Sequence, residues 1–210
     1  TPNTIRCVTI NVGGLTEYKL HHVLAQAQHA NWDIITLIDA RLSIDDAPAI
    51  NRATKAEGYN SHVSDVRSTT EKTIRIGGQV MLIAIRLGRA RKFTSDPSGL
   101  GIISRARLQL GKRKVQIIGT YWPIPSEEST GGLHSHLERW LNSTDGQLEP
   151  MEYVQNRISM LVDKHDSQAG NSTIIMGDMN ATLDGRATHA CLPEFMERCK
   201  LRSTHVGPAP

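Results

Sequence analysis

Thr173-Ile174-Ile175-Met176-Gly177-Asp178-Met179-Asn180-Ala181 is an apolar run that stops abruptly at Gly-Asp-x-Asn. Preceded by the turn-forming Gly170-Asn171-Ser172, the run reads as a buried strand. A strand apolar on both faces needs cover on both, which points to a layered fold. Asp178 and Asn180 stand two residues apart where strand gives way to loop, so their side chains can point the same way. A carboxylate that only accepts, beside an amide that donates and accepts, can handle a water and a phosphate oxygen together. The same residues also serve as a plain turn after a strand. What separates the two readings is the company that this strand end keeps.

The rest of the chain alternates strand and helix patterns without internal repeats. Strand patterns cover Ile5 to Val12, Asp33 to Asp39, Tyr59 to Val66, Gln79 to Ile85, Gly101 to Leu110 and Lys114 to Tyr121. The last two form a hairpin across Gly111. Helix patterns cover Thr16 to Ala30, with Thr16 as N-cap, then Asp46 to Glu57 closed by Gly58. Further helices are predicted over Leu133 to Leu141, Glu149 to Lys164 and Pro193 to Lys200. Trp122 to Gly132, rich in Pro and Gly, is the longest irregular segment and a candidate functional loop. Hairpins together with helical crossovers imply mixed sheets in an α/β sandwich.

At 210 residues the simplest reading is one domain spanning 1–210. Its 39% apolar and 21% charged residues are those of a soluble globular protein. No apolar segment approaches the ~20 residues of a membrane span, and no secretory signal opens the chain. Three cysteines, Cys7, Cys191 and Cys199, offer no disulfide framework and favour a reducing, intracellular setting. The spacing of Cys191 and Cys199 with His189 and His205 fits no common zinc module. Net charge is +3, with basic residues gathered at Arg86, Arg89, Arg91 and Lys92, and again at Lys112-Arg113-Lys114. Such clusters suit a polyanion and are expected near the mouth of the site. For Lys112 to Lys114, a solvated hairpin tip is the competing reading.

Four strands end on polar groups that could converge. Asn11 closes the first, Asp39 the second, Tyr121 another, and Asp178 with Asn180 the last. Alone, each has an ordinary structural role as turn, helix cap or wet aromatic.

In this order they resemble the endonuclease/exonuclease/phosphatase superfamily, the fold shared by deoxyribonuclease I, apurinic endonucleases and inositol polyphosphate phosphatases. The matching segments are Thr-Ile-Asn-Val-Gly-Gly-Leu, Trp-Asp-Ile-Ile-Thr-Leu-Ile-Asp-Ala-Arg-Leu, Ile-Gly-Gly-Gln-Val, Gly-Thr-Tyr-Trp-Pro and Ile-Met-Gly-Asp-Met-Asn-Ala. The Gly-Gly-Gln-Val strand and Tyr-Trp-Pro look most like endonuclease domains of non-LTR retrotransposons. The resemblance implies a four-layer sandwich of two mixed β-sheets flanked by helices. It also implies Mg²⁺- or Mn²⁺-dependent phosphodiester hydrolysis, DNA as partner, a reverse transcriptase in the same polypeptide, and a nuclear location. Asp39 would stand at the metal-binding acid with Asn11 in support. Asp178 would orient or deprotonate water, Asn180 would hold the scissile phosphate, and Tyr121 would approach it. Hard cations suit carboxylates and waters, and developing phosphate charge needs donors, so the residue types agree with that chemistry.

Two departures stand out. Asp39 is shorter than the family's usual Glu, and the family's closing Ser-Asp-His triplet is absent. The sequence therefore predicts a domain incomplete at its C-terminus, lacking strands and weakly active or inactive alone. The rival readings are the same fold acting on phosphoinositides or other small phosphoesters, and a remnant that binds nucleic acid without cutting it.

Overall fold

The computed structural model describes residues 4–64, 75–88, 90, 92–125, 132–144, 148–180 and 192–204. Arg89, Arg91, His189, Cys191, His205 and most of the Trp122 to Gly132 loop lie outside these residues.

Strands β1 (Cys7–Asn11) and β2 (Ile34–Ile38) run parallel, with Asn11 opposite Ile38. A parallel pair needs a crossover, supplied here by helix α1 (Glu17–Ala30). Thr16 caps α1, its hydroxyl accepting the Lys19 N–H at 3.3 Å. Leu20, Val23, Leu24 and Ala27 recur on one face of α1 and pack with Ile35, Leu37, Val80 and Leu82. Strands β3 (Tyr59–Val63) and β4 (Gln79–Ala84) are antiparallel and complete a sheet ordered β1-β2-β4-β3. Helix α2 (Ala47–Ala56) precedes β3 and is followed by Gly58 at φ 83°.

The second sheet is ordered β5 (Lys92–Ser95), β6 (Ile103–Leu110), β7 (Arg113–Tyr121) and β8 (Asn171–Asp178). Gly111, at φ 61°, turns the β6–β7 hairpin. β8 lies parallel to β7, and α3 (Leu133–Ser143) and α4 (Pro150–Asp166) carry the crossover. Leu137, Val154, Ile158 and Val162 from these helices join Ile103 and Ile118 of the sheet, with Phe195 of α5 (Leu192–Arg198).

The sheets pack face to face. Ile34, Met81 and Ile83 of the first bury with Ala106, Leu108, Ile117 and Met176 of the second. Each large apolar side chain so buried contributes about 1.5–3 kcal/mol. One part of this interface is polar: the Ser104 hydroxyl donates to Gln79 Oε1 at 2.6 Å, and Gln79 Nε2 donates to the Ile102 carbonyl at 2.6 Å. Gly119 lets the layers meet here, because a Cβ on it would lie 2.6 Å from Gln79 Oε1 and 2.8 Å from Ser104 Oγ. The result is two mixed four-stranded sheets between two helical layers, the architecture the sequence predicts.

Two expectations change. Lys92–Ser95, which carries no strand pattern, forms an eighth strand, β5, with Lys92 exposed in it and paired in register with Arg107. Of the basic residues, the described Arg86 and Lys112 to Lys114 also sit at the wrong end to line a site at Tyr121. Arg113 begins β7 and Tyr121 ends it, roughly 26 Å away at ordinary strand rise. Arg86 binds Asp33 Oδ1 at 3.1 Å, beside the start of β2, while Asp39 follows its end.

Candidate active site at the joined strand ends

Parallel pairing decides where the polar residues go. In each parallel pair both C-terminal ends fall on one edge, so Asn11 and Asp39 share an edge, and Tyr121 lies directly opposite Asp178. Face-to-face packing then brings β1 against β8. Asn11 Nδ2 donates to Asp178 Oδ2 at 3.3 Å, joining the two sheets side chain to side chain.

Each residue is held locally. Asn11 Oδ1 accepts the Gly13 N–H at 3.2 Å, a turn that the left-handed Gly13 and Gly14 permit. Lys19 ties the same turn from α1, donating to the Gly14 carbonyl at 2.9 Å. Asp178 Oδ1 accepts the Asn180 N–H at 3.1 Å, and the Asp178 carbonyl accepts from Trp122 N at 2.9 Å. Asn180, at φ 47°, donates through Nδ2 to the Trp122 carbonyl at 2.6 Å. Both Asp178 oxygens thus carry an N–H, which fixes the carboxylate plane while leaving lone pairs free.

Asp39 is held differently. Its Oδ1 accepts the Gly77 N–H at 3.3 Å, and the guanidinium of Arg41 grips both oxygens, Nε at 3.1 Å and Nη2 at 2.7 Å. Asp39 and Arg41 have φ of 54° and 57°, a region that residues other than glycine seldom occupy. Three of the five described non-glycine residues with positive φ, namely Asp39, Arg41 and Asn180, belong to this site. Such conformations persist where surrounding structure over-determines them, often at functional sites. Arg41 and Lys19 were not singled out from sequence.

Tyr121 feels all of these groups. Its phenol pKa is raised above 10.0, first by burial and then by the Asp178 carboxylate, with Asp39 adding to the rise; a hydrogen bond with Asn180 and the charge of Arg41 pull the other way. The hydroxyl is therefore a proton donor at neutral pH. Because the folded state holds this proton more tightly than the unfolded chain, the associated stability is complete below pH 10.0 and is lost as pH rises through the folded pKa. Subtracting the phenolate absorbance titration of Tyr121→Phe from that of the unchanged protein should isolate a midpoint above 10.0. A midpoint at or below that value would contradict this environment.

No protein-family model and no curated protein matches the sequence. Solved structures do match in shape. An AP endonuclease from Leishmania major superposes with a TM-score of 0.63 at 18% identity, over 93% of this chain and 66% of its own. An AP endonuclease from Archaeoglobus fulgidus gives 0.57 at 17%, over 93% and 65%. The two mixed sheets and their helical flanks coincide with theirs. The chain has the deoxyribonuclease I-like fold. A 3' phosphatase, NExo from Neisseria bound to product DNA hairpin, shares this fold at a TM-score of 0.53 and 16% identity, over 85% of this chain and 58% of its own. The chain spans just under two-thirds of the two AP endonucleases.

Within this fold the strand-end donors are hard oxygens: the carboxylates of Asp39 and Asp178 and the amide oxygens of Asn11 and Asn180. Among the described residues no three His, Cys, Asp or Glu side chains gather into a metal cluster. A cation here would draw the rest of its shell from water, the habit of Mg²⁺. The donor chemistry fits a hard divalent ion. The two described cysteines are Cys7, exposed on β1, and Cys199, buried after α5, and neither stands among these donors.

Proposed function

We propose that this chain is the greater part of a metal-dependent phosphodiesterase domain that nicks DNA. The observation that carries the reading is the Asn11–Asp178 hydrogen bond between the sheets, with Tyr121 and Asn180 around the same carboxylate. Asp178 accepts a proton from the attacking water through a lone pair not used by Asn11 or Asn180. Asn11 keeps that carboxylate turned toward the site. Asn180 and the neutral Tyr121 hydroxyl donate to phosphate oxygens as negative charge grows there. Asp39 would hold the divalent ion, which when bound supplies Lewis-acid stabilisation of the phosphate.

The finer reading is an endonuclease of the non-LTR retrotransposon kind, acting in the nucleus beside a reverse transcriptase in one polypeptide. Its support is the order of the segments from Thr9-Ile10-Asn11 to Met176-Gly177-Asp178-Met179-Asn180. Efficient cleavage on this reading draws on residues beyond this chain, consistent with its spanning about two-thirds of the matched AP endonucleases. Mg²⁺-dependent conversion of supercoiled plasmid to open circles, compared with phosphate release from inositol phosphates, tests the assignment. Phosphate release without nicking, from this chain or from a longer polypeptide carrying a Ser-Asp-His segment, would shift it to small phosphoesters. No helix among the described residues is long and apolar enough to cross a membrane.

Basic residues take a separate part. Lys112, Arg113 and Lys114 are exposed at the far end of β7, too distant to touch a phosphate bound at Tyr121. On this proposal they and Arg86 contribute to affinity along an extended backbone, together with Arg89 and Arg91. Alanine at 112, 113 and 114 should lower the salt slope of DNA binding by up to about three, one per phosphate released, without changing the cleavage rate at saturating DNA. An unchanged slope would remove this end of the molecule from the footprint.

A further inference from the structure

Asp39, the residue proposed to hold a divalent cation, already has a cation on it. Arg41 takes both carboxylate oxygens, at 3.1 and 2.7 Å, from two residues away. The grip is pre-set by backbone, since Asp39 and Arg41 both lie in the left-handed region, and Arg41 returns its own N–H to the Gly77 carbonyl at 2.8 Å. Bidentate guanidinium–carboxylate pairing is directional as well as charge-assisted. Yet the pair is not sealed in: the Arg41 side chain is 48% exposed and that of Asp39 15%. With half of the Arg41 side chain facing water, the fork can leave Asp39 without passing through a closed core. Tyr121 stands on the same edge, opposite Asp178 in the ladder, which gives the fork a second place to go there.

We infer that Arg41 is an exchangeable counter-ion: it holds Asp39 while no metal is bound, and turns its fork onto the phosphate beside Tyr121 when a divalent ion takes Asp39. The inference rests on the proposed hydrolytic reading of the site. With Oδ1 taken by Arg41 Nε and the Gly77 N–H, and Oδ2 by the other arm of the Arg41 fork, a metal ion would find one lone pair and a like charge beside it, so each cation weakens the other's hold. The exchange replaces one positive charge on Asp39 by two, and delivers a positive fork to the substrate only when the metal is present. Arg41 thereby couples metal loading to phosphate binding. It also bears on the short Asp39: a carboxylate at this length suits a partner attached two residues along the chain.

Mn²⁺ binding, followed by the electron-spin resonance of the free ion, tests the exchange without measuring activity. Arg41→Gln should bind Mn²⁺ about five-fold more tightly than the unchanged protein, the most that an exposed ion pair withholds. In the presence of Mn²⁺ the same variant should bind a short oligonucleotide with a salt slope smaller by about one. Arg41→Lys, which keeps the charge and loses the fork, should preserve that slope while holding Mn²⁺ at an intermediate affinity. Asp39→Asn should abolish Mn²⁺ binding. If Asp39→Asn abolishes it but Arg41→Gln leaves it unchanged or weaker, the exchange is wrong and the metal site stands. If Asp39→Asn binds Mn²⁺ as before, the metal assignment falls and the exchange falls with it.

Discussion

Replacing Asp178 by alanine should slow plasmid nicking about 10³-fold, in whichever form of the protein nicks, this chain or a longer polypeptide. Loss of a positioned general base typically costs about 10²–10⁴ in rate. Here the loss is compounded, because Asp178 accepts Asn11 Nδ2 and Asn180 N, and without it neither group is held in place across the sheets or within the loop. Asp178→Asn separates the two contributions. It keeps an acceptor oxygen and the shape of the side chain but cannot take a proton, so it should be nearly as slow as the alanine variant. Rates measured at saturating DNA and Mg²⁺, with an exposed control such as Asp163→Ala on α4, make the comparison. Full activity in Asp178→Ala would remove this carboxylate from the chemistry.

The largest stability effect is expected at Gly177. It lies opposite Thr120 in the β7–β8 ladder, and an added Cβ would overlap the Thr120 carbonyl oxygen, which belongs to backbone and cannot swing aside. Gly177→Ala must therefore part the two strands at the residues just before Tyr121 and Asp178. Overpacking of this kind costs about 3 kcal/mol. For a chain of this size that corresponds to a Tm lower by roughly 6–12 °C. Gly170→Ala is the contrast: Gly170 has φ 80° but nothing within 4 Å of a Cβ, so it should cost only about 1 kcal/mol, from backbone strain alone. Equal losses in calorimetry would show that space at Gly177 is not what the glycine provides.

The four-layer plan was legible because its signals are periodic. α1 shows its apolar face at helical spacing, β2 and β4 are largely apolar, with Thr36 and Gln79 their only polar residues, and Gly111 marks the hairpin. The Asp178–Asn180 end was legible because the apolar run of β8 stops so sharply. β5 was not, since four residues led by lysine at a sheet edge carry too little pattern to tell from a basic loop. The distance of Lys112 to Lys114 from the site was legible too, since a strand from Lys114 to Tyr121 puts them at opposite ends, whereas the position of Arg86 beside Asp33 depends on how β2 and β4 pair. The grip of Arg41 on Asp39 was hidden for another reason. It depends on positive φ at two non-glycine residues, which the surrounding chain imposes and no local propensity encodes.

The hydrogen bond from Asn11 to Asp178 crosses from one sheet to the other, and with it the site is divided between two stretches of chain. Residues up to Ala84 supply Asn11, Asp39 and Arg41; residues from Lys92 onward supply Tyr121, Asp178 and Asn180. Neither stretch holds a full set of groups by itself. The constellation exists only once Ile34, Met81 and Ile83 have closed on Ala106, Ile117 and Met176, and once Gln79 has found Ser104. Assembly of the hydrophobic seam is thus a precondition of the chemistry. A substitution deep in that seam, far from any phosphate, acts on activity by loosening the register of the two halves, and a ligand that spans both halves acts as a clasp on the whole sandwich.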